Sequence, residues 1–334
     1  MASESDDAKT SLTSTRSLSL PAALPAELPL PYIPIGHPDT MMSKESVRRA
    51  VEEFQVRPTD VIVATFSKTG TTLVTWICHH LRTGGDEELN FETLYQVVPW
   101  PLLSWDIGVD PNVDGSHFHP RVFKSHLRLA SIYRGCKYVV TIRDPARTTV
   151  SFYNFMRAKQ VPIALQVDVS TFLLETPFVQ GRPGRGSIWD YYREYHIVKD
   201  CPSVLVVVYE DLVQDMPRWI RMLAKFMEID EDECTPELVQ KVARMSTKEF
   251  MAQHNSKFDE PYERAKRLGR VGDLQQLAPA GKVAVQQHTQ TLNEEAQRFL
   301  DEKWKQTMQP LGYDDYSAFA ETFRNINKKR FGQE

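Results

Sequence analysis

The stretch Val61-Ile-Val-Ala-Thr-Phe-Ser-Lys-Thr-Gly-Thr-Thr72 constrains the fold more than any other part of the chain. A short apolar run breaks into a polar loop holding Lys68, Gly70 and several hydroxyls. Leu73-Val-Thr-Trp-Ile-Cys-His-His-Leu81 then continues with apolar residues at helical spacing. Strand, compact loop and helix N-terminus in succession make an anion cradle. Backbone N–H groups face the ligand, the helix dipole favours negative charge, and Lys68 adds a full positive one. The usual phosphate loop puts four residues between an opening Gly and Gly-Lys-Ser/Thr. Here that Gly is missing and Lys68 precedes Gly70, which points to a nucleotide with a different transferable group.

Further along, buried-type strands alternate with amphipathic helices. Strands are expected at Val61–Thr65, Arg121–Lys124, Lys137–Ile142 and Ser203–Tyr209. Helices are expected at Thr72–Leu81, Arg147–Met156, Ile188–Lys199, Pro217–Met227, Thr235–Met245 and Leu292–Gln306. Ser187 is a natural N-cap for the helix opening at Ile188. The alternation predicts an α/β fold in three layers, a central parallel sheet with helices on both faces, of the phosphate-loop nucleotide-binding type. Ligands of such sheets bind beyond the strands' C-terminal ends, where Lys68, Lys124, His126 and Arg143 all fall. No internal repeat interrupts the pattern.

Four segments together carry a family resemblance. Lys68-Thr69-Gly70-Thr71-Thr72 resembles the Lys-Ser/Thr-Gly-Thr-Thr loop of cytosolic sulfotransferases. Lys124-Ser125-His126 resembles their Lys-Thr/Ser-His catalytic segment. Tyr138-Val-Val-Thr-Ile-Arg-Asp-Pro145, with Ser151 eight residues beyond Arg143, resembles their 3′-phosphate-binding segment. Val204-Leu-Val-Val-Val-Tyr-Glu-Asp-Leu212 is similar to the strand whose terminal Tyr, here Tyr209, lies against adenine. These occur in the family's order and, with a partial match near Gly272, cover the chain from about Val61 onward. The chain is identified on these residues as a member of that family.

The resemblance implies an enzyme that moves a sulfonate from 3′-phosphoadenosine 5′-phosphosulfate to a hydroxyl or amine of a small acceptor: an alcohol, phenol or amine. His126 would be the general base, since an imidazole accepts protons near neutral pH. Lys68 and Lys124 would stabilise the departing phosphate and the moving sulfonate. Arg143, whose planar fork suits a phosphate, and Ser151 would hold the 3′-phosphate. Thr69, Gly70, Thr71, Thr72 and Leu73 would line the nucleotide, with Tyr209 at the base and Arg267 and Gly269 from the distal motif. No metal is called for, because lysines and backbone dipoles supply the positive field.

The departures from the family pattern are specific. The Trp that ends the family's loop and stacks on adenine is replaced by Leu73. The distal Arg-Lys-Gly-x-x-Gly-Asp-Trp motif becomes Arg267-Leu268-Gly269-Arg270-Val271-Gly272-Asp273-Leu274, so a phosphate-binding Lys and a Trp are lost, with Lys266 or Arg270 as stand-ins. The family's C-terminal dimerisation motif is not recognisable, which leaves a monomer or weak homodimer. Competing readings attach to single residues. Lys124 and His126 share one strand face and could decorate a solvated edge; Arg143 could pair with Asp144; Tyr209-Glu210-Asp211 could be a strand exit and helix cap. His79 and His80 suit packing better than ligation, and His117-Phe-His119 is an incomplete metal pattern read here as an acceptor-side loop. Trp100, Tyr153, Phe155 and the segment 155–183 are expected to line the acceptor pocket. Two whole-protein alternatives remain: a phosphate-loop small-molecule kinase, with Asp144 or Asp211 holding Mg²⁺, and a non-catalytic sulfotransferase-like binding protein.

Composition narrows the setting. With 334 residues and 41% hydrophobic content, one large domain (35–334) is reasonable. A net charge of −4 argues against nucleic acid or an anionic membrane as a general partner. The chain has no run of about 18 apolar residues. Residues 1–34 are rich in Ser, Thr, Asp and then Pro, and are expected to be a disordered or extended tail. Cys78, Cys136, Cys201 and Cys234 form no close pair and suit a reduced, cytoplasmic protein.

Overall fold

The computed structural model describes residues 42–113, 118–181, 186–259 and 290–332. The N-terminal tail and the distal motif with Arg267 and Gly269 lie outside the described residues, as does His117. Four segments form strands: β1 (Val61–Ala64), β2 (Val122–Ser125), β3 (Lys137–Ile142) and β4 (Val204–Val208). They pair in parallel in the order β2-β1-β3-β4. The register sets Val61 beside Val122 and Lys137, and Tyr138 beside Val204. Every strand residue is buried, so both sheet faces are covered, as a parallel sheet requires.

The chain moves from β1 to β2 on one side, then crosses back over β1 to β3 on the other. That reversal opens a crevice at the C-terminal ends of β1 and β3, the place where such sheets bind ligands. The opposite end is closed. Arg121 meets Asp60 there through Nη2–Oδ2 at 2.6 Å and Nε–Oδ1 at 2.8 Å, with both side chains buried.

The expected helices are present: Thr71–Arg82, Pro145–Ala158, Ile188–Ile197, Met216–Met227, Pro236–Met245 and Glu294–Thr307. Ser187 caps its helix in a reciprocal box with Asp190. Among described helices of eight residues or more, two escaped the sequence reading, Lys44–Glu52 and Tyr316–Phe331. The second lies along β4, which is an edge among the described strands. Its Arg330 donates to the Val204 carbonyl at 2.6 Å and its Asn327 to the Val206 carbonyl at 2.8 Å. One continuous core reaches from Phe54 through the sheet to Phe323.

Candidate active site

β1 delivers the chain into the loop from Thr65 to Gly70, whose shape is set by internal hydroxyl bonds. Thr69 Oγ1 donates to the Phe66 carbonyl at 2.7 Å and meets Thr141 Oγ1 of β3 at 2.5 Å. The Thr65 and Thr71 hydroxyls bond across the loop. Both Thr69 and Thr71 are buried, so these hydroxyls brace the loop, and what the loop turns outward is its backbone and Lys68. Lys68 has φ +69° and Gly70 φ +121°. Gly70 is the N-cap of Thr71–Arg82. Among described helices of eight residues or more, this is the one whose N-cap makes no side-chain hydrogen bond; Ser, Asp, Thr or Asn caps the others. Its first turn holds no acidic residue. The first intrahelical bond runs from Val74 N to the Gly70 carbonyl, leaving the preceding N–H groups without an intrahelical partner. Leu73 is half-buried against the main core, and Thr72 is half-buried beside it.

β2 carries the second cation. Lys124 is 4% exposed, and its ammonium lies 4.2 Å from the Trp100 ring centre and 4.5 Å from that of Tyr95. It also donates to Tyr95 Oη at 3.1 Å. Aromatic faces stabilise a cation where water is scarce. His126, one residue past the end of β2, sets its ring edge-on to the same Trp100, with centroids 5.3 Å apart. Lys124 and His126 thus flank one indole, as their alternation predicts. His126 Nδ1 lies 2.9 Å from the Thr65 carbonyl. A carbonyl only accepts, so this bond places the proton on Nδ1 and leaves Nε2 with the lone pair in the neutral ring. Tyr191 Oη donates to the His126 carbonyl at 2.6 Å and fixes the backbone.

β3 supplies Arg143. Its guanidinium lies 4.3 Å from the Tyr209 ring centre and donates from Nη1 to the Lys68 carbonyl at 2.8 Å. Asp144 does not pair with it; that carboxylate caps the Pro145–Ala158 helix through Arg147 N at 2.8 Å. Ser151 is half-buried in this helix, and no hydrogen bond among the described residues ties it to Arg143. Tyr209 corrects the expected element: β4 stops at Val208, and Tyr209 opens a short helix to Gln214. Its ring passes over the loop, so that a Cβ on Gly70 would stand 2.6 Å from Tyr209 Cδ2. Lys68, Gly70, Arg143 and Tyr209 are therefore one contact group, and Lys124 with His126 forms a second, joined to the first through Thr65.

Phe155, expected in the acceptor pocket, has its ring centre 4.3 Å from Lys68 Nζ. Other supports were invisible in the sequence. Tyr192 Oη accepts from Arg143 N at 3.2 Å and donates to the Arg143 carbonyl. Burial pushes the Tyr192 phenol well above its ordinary range, so it keeps the proton it donates. Beside the loop, Phe66 meets Phe178 and Tyr191, and Phe178 stacks on Phe152 with centroids 3.5 Å apart. Tyr153 does not join this wall. It is buried with Phe172 in a cluster behind it, against which Phe152 also packs, and its hydroxyl donates to the Val167 carbonyl at 2.7 Å. His79 and His80 are buried packing residues, edge-on to Phe91 and Trp76 respectively. The four cysteines are free. Among the described residues, no helix is long and apolar enough to cross a membrane.

Sheet order, switch point, bare helix N-terminus and converging cations define an α/β protein built to hold a nucleotide anion. Residues 58–312 match the sulfotransferase domain family, and the chain belongs to that family. Sulfotransferase 1C2 of Rattus norvegicus is 27% identical over 242 residues, 67% of this chain and 79% of that protein. The 3-alpha-hydroxysteroid sulfotransferase of Cavia porcellus is 29% identical over 231 residues, 66% and 75% of the two chains. Mouse sulfotransferase SULT7A1, solved in complex with PAP, shares the fold with a TM-score of 0.54 at 17% identity, covering 87% of this chain and 95% of that one.

Proposed function

We propose that this chain is a cytoplasmic enzyme transferring a sulfonate from 3′-phosphoadenosine 5′-phosphosulfate to a hydroxyl or amine of a small acceptor, with His126 as the general base. The observation that carries the reading is the His126 tautomer: the Thr65 carbonyl holds the Nδ1 proton and leaves Nε2 as the acceptor nitrogen. As the acceptor oxygen or nitrogen forms its bond to sulfur, Nε2 takes its proton. The bond from sulfur to the bridging phosphate oxygen breaks, and that oxygen leaves with the electron pair on the nucleotide product. The leaving oxygen gains negative charge, which Lys68, Lys124 and the uncapped N–H groups of the Thr71–Arg82 helix stabilise. Arg143 then meets the 3′-phosphate, and the Phe66, Phe152 and Phe178 wall favours an apolar or aromatic acceptor. Fixed cations suit this chemistry, because sulfonate transfer, like phosphoryl transfer, is mainly positioning and electrostatics.

The kinase alternative loses its two candidate metal-holding residues to other duties. Asp144 is a helix cap, and Asp211 takes two hydrogen bonds from Arg324 at 2.8 and 2.9 Å. The decisive variant is His126→Ala. Transfer should fall about 10²–10⁴-fold while nucleotide affinity stays within a few-fold, since a proton acceptor is lost and no phosphate contact is. Radiolabelled sulfonate transfer to a panel of alcohols, phenols and amines, paired with nucleotide titration, measures both. Near-normal turnover in the variant would remove His126 from the mechanism.

A further inference from the structure

The matched family segment ends at residue 312, yet the Tyr316–Phe331 helix reaches the nucleotide end of the sheet. It runs antiparallel to β4, with Arg330 bonded to Val204, Asn327 to Val206 and Arg324 to Asp211. At its first residue, Tyr316 Oη donates to Glu210 Oε2 at 2.7 Å. Glu210 Oε1 in turn accepts from Asp144 N at 3.1 Å.

That contact falls where the sheet gives out. The last paired residues of β3 and β4 are Ile142 and Val208, so Arg143 and Asp144 have no strand partner. Tyr192 holds both peptide groups of Arg143, and Glu210 holds the next N–H. Tyr209, the residue before Glu210, lies under the Arg143 guanidinium. One short helix therefore fixes the backbone just after Arg143 and supports its side chain. A carboxylate this near a site for a multiply charged anion repels the ligand, which makes an organising role the one that accounts for it. Both Glu210 oxygens are engaged with protein donors.

We infer that Glu210 and Tyr316 are positioning residues for Arg143, so that the helix beyond the matched segment sets how sharply this chain prefers a 3′-phosphorylated nucleotide. The inference rests on the proposed role of Arg143 as the 3′-phosphate contact.

Calorimetric titration of adenosine 3′,5′-bisphosphate and adenosine 5′-monophosphate gives an affinity ratio for each variant. Arg143→Ala should lower the wild-type ratio about tenfold or more, as loss of a charge-assisted contact predicts. Glu210→Ala and Tyr316→Phe should each lower it about three- to tenfold through a misplaced Arg143. Glu210→Gln should keep it within about twofold, because the amide oxygen still accepts from Asp144 and the amide nitrogen can donate to Tyr316. A purely structural role would lower melting temperature and weaken both nucleotides equally. An unchanged ratio in Glu210→Ala and Tyr316→Phe, with Arg143→Ala impaired, overturns this inference alone. An unchanged ratio in Arg143→Ala overturns both it and the role assigned to Arg143.

Discussion

Gly70 stands at φ +121° with the Tyr209 ring where a side chain would begin, so two separate constraints exclude any other residue. Only glycine adopts that backbone without strain, and a methyl group would have to push Tyr209 away from Arg143. Gly70→Ala should therefore cost about 1–3 kcal/mol of stability and weaken nucleotide binding together. Thermal unfolding and titration of the desulfonated nucleotide on the same samples check this. Full affinity in the variant would mean that the ring moves freely and that its contact with Arg143 is incidental. Lys68 occupies positive φ without glycine's freedom. Its conformation is held by what surrounds it: the Arg143 bond to its carbonyl and the Phe155 ring under its ammonium.

At the scale of elements, the Thr71–Arg82 helix carries Leu73 as its third residue, where the sequence reading expects the adenine wall. If Leu73 occupies the adenine wall, Leu73→Trp should tighten nucleotide binding by at most about 1 kcal/mol, as ring stacking is offset by fitting a larger side chain. Calorimetry on both proteins reads this directly, and loss of folding would assign Leu73 to the core it touches. Two strands were legible because Val61–Ala64 and Val204–Val208 are unbroken apolar runs, the mark of burial on both faces, and Lys137–Ile142 because Tyr138, Val139, Val140 and Ile142 dominate it. The Tyr316–Phe331 helix was not, because its buried stripe passes from Phe319, Ala320 and Phe323 to Asn327, a polar residue whose partner is a strand carbonyl. Lys44–Glu52 hides Val47 and Ala50 among charges. The same division runs through the site. Lys68, Lys124, His126 and Arg143 announce themselves by residue type at strand ends. Tyr192 and Glu210, and the contact of Phe155 with Lys68, depend on tertiary structure that no local spacing encodes, and Tyr209 was placed on the wrong element because its strand ends one residue early.

For the whole molecule, the buried His79 and His80 make stability depend on acidity. Burial holds His80 down to about 3, with the Lys241 charge adding to it, and holds His79 well below its usual range, with the Arg82 charge adding to that. Unfolded, both rings take up protons near pH 6.5, so below that the unfolded chain binds more protons than the folded one. Stability is complete above about pH 6.5 and declines as pH falls below it, toward about 3 for His80, at up to roughly 1.4 kcal/mol per pH unit for each ring. Urea midpoints across this range should show the slope, and the double variant His79→Leu/His80→Leu should flatten it; equal slopes in the two proteins would assign the acid sensitivity to other groups. The cover over β4 has a consequence for the protein's life before it is folded. Val204-Leu-Val-Val-Val208 is a short, uncharged, strongly β-forming segment of the kind that templates cross-β aggregation when its edge is bare. Asn327 and Arg330 occupy the carbonyls on that edge, but they lie 121 and 126 residues downstream of their partners. On a translating ribosome the strand therefore emerges long before its cover, and the edge stands open to other chains during that interval.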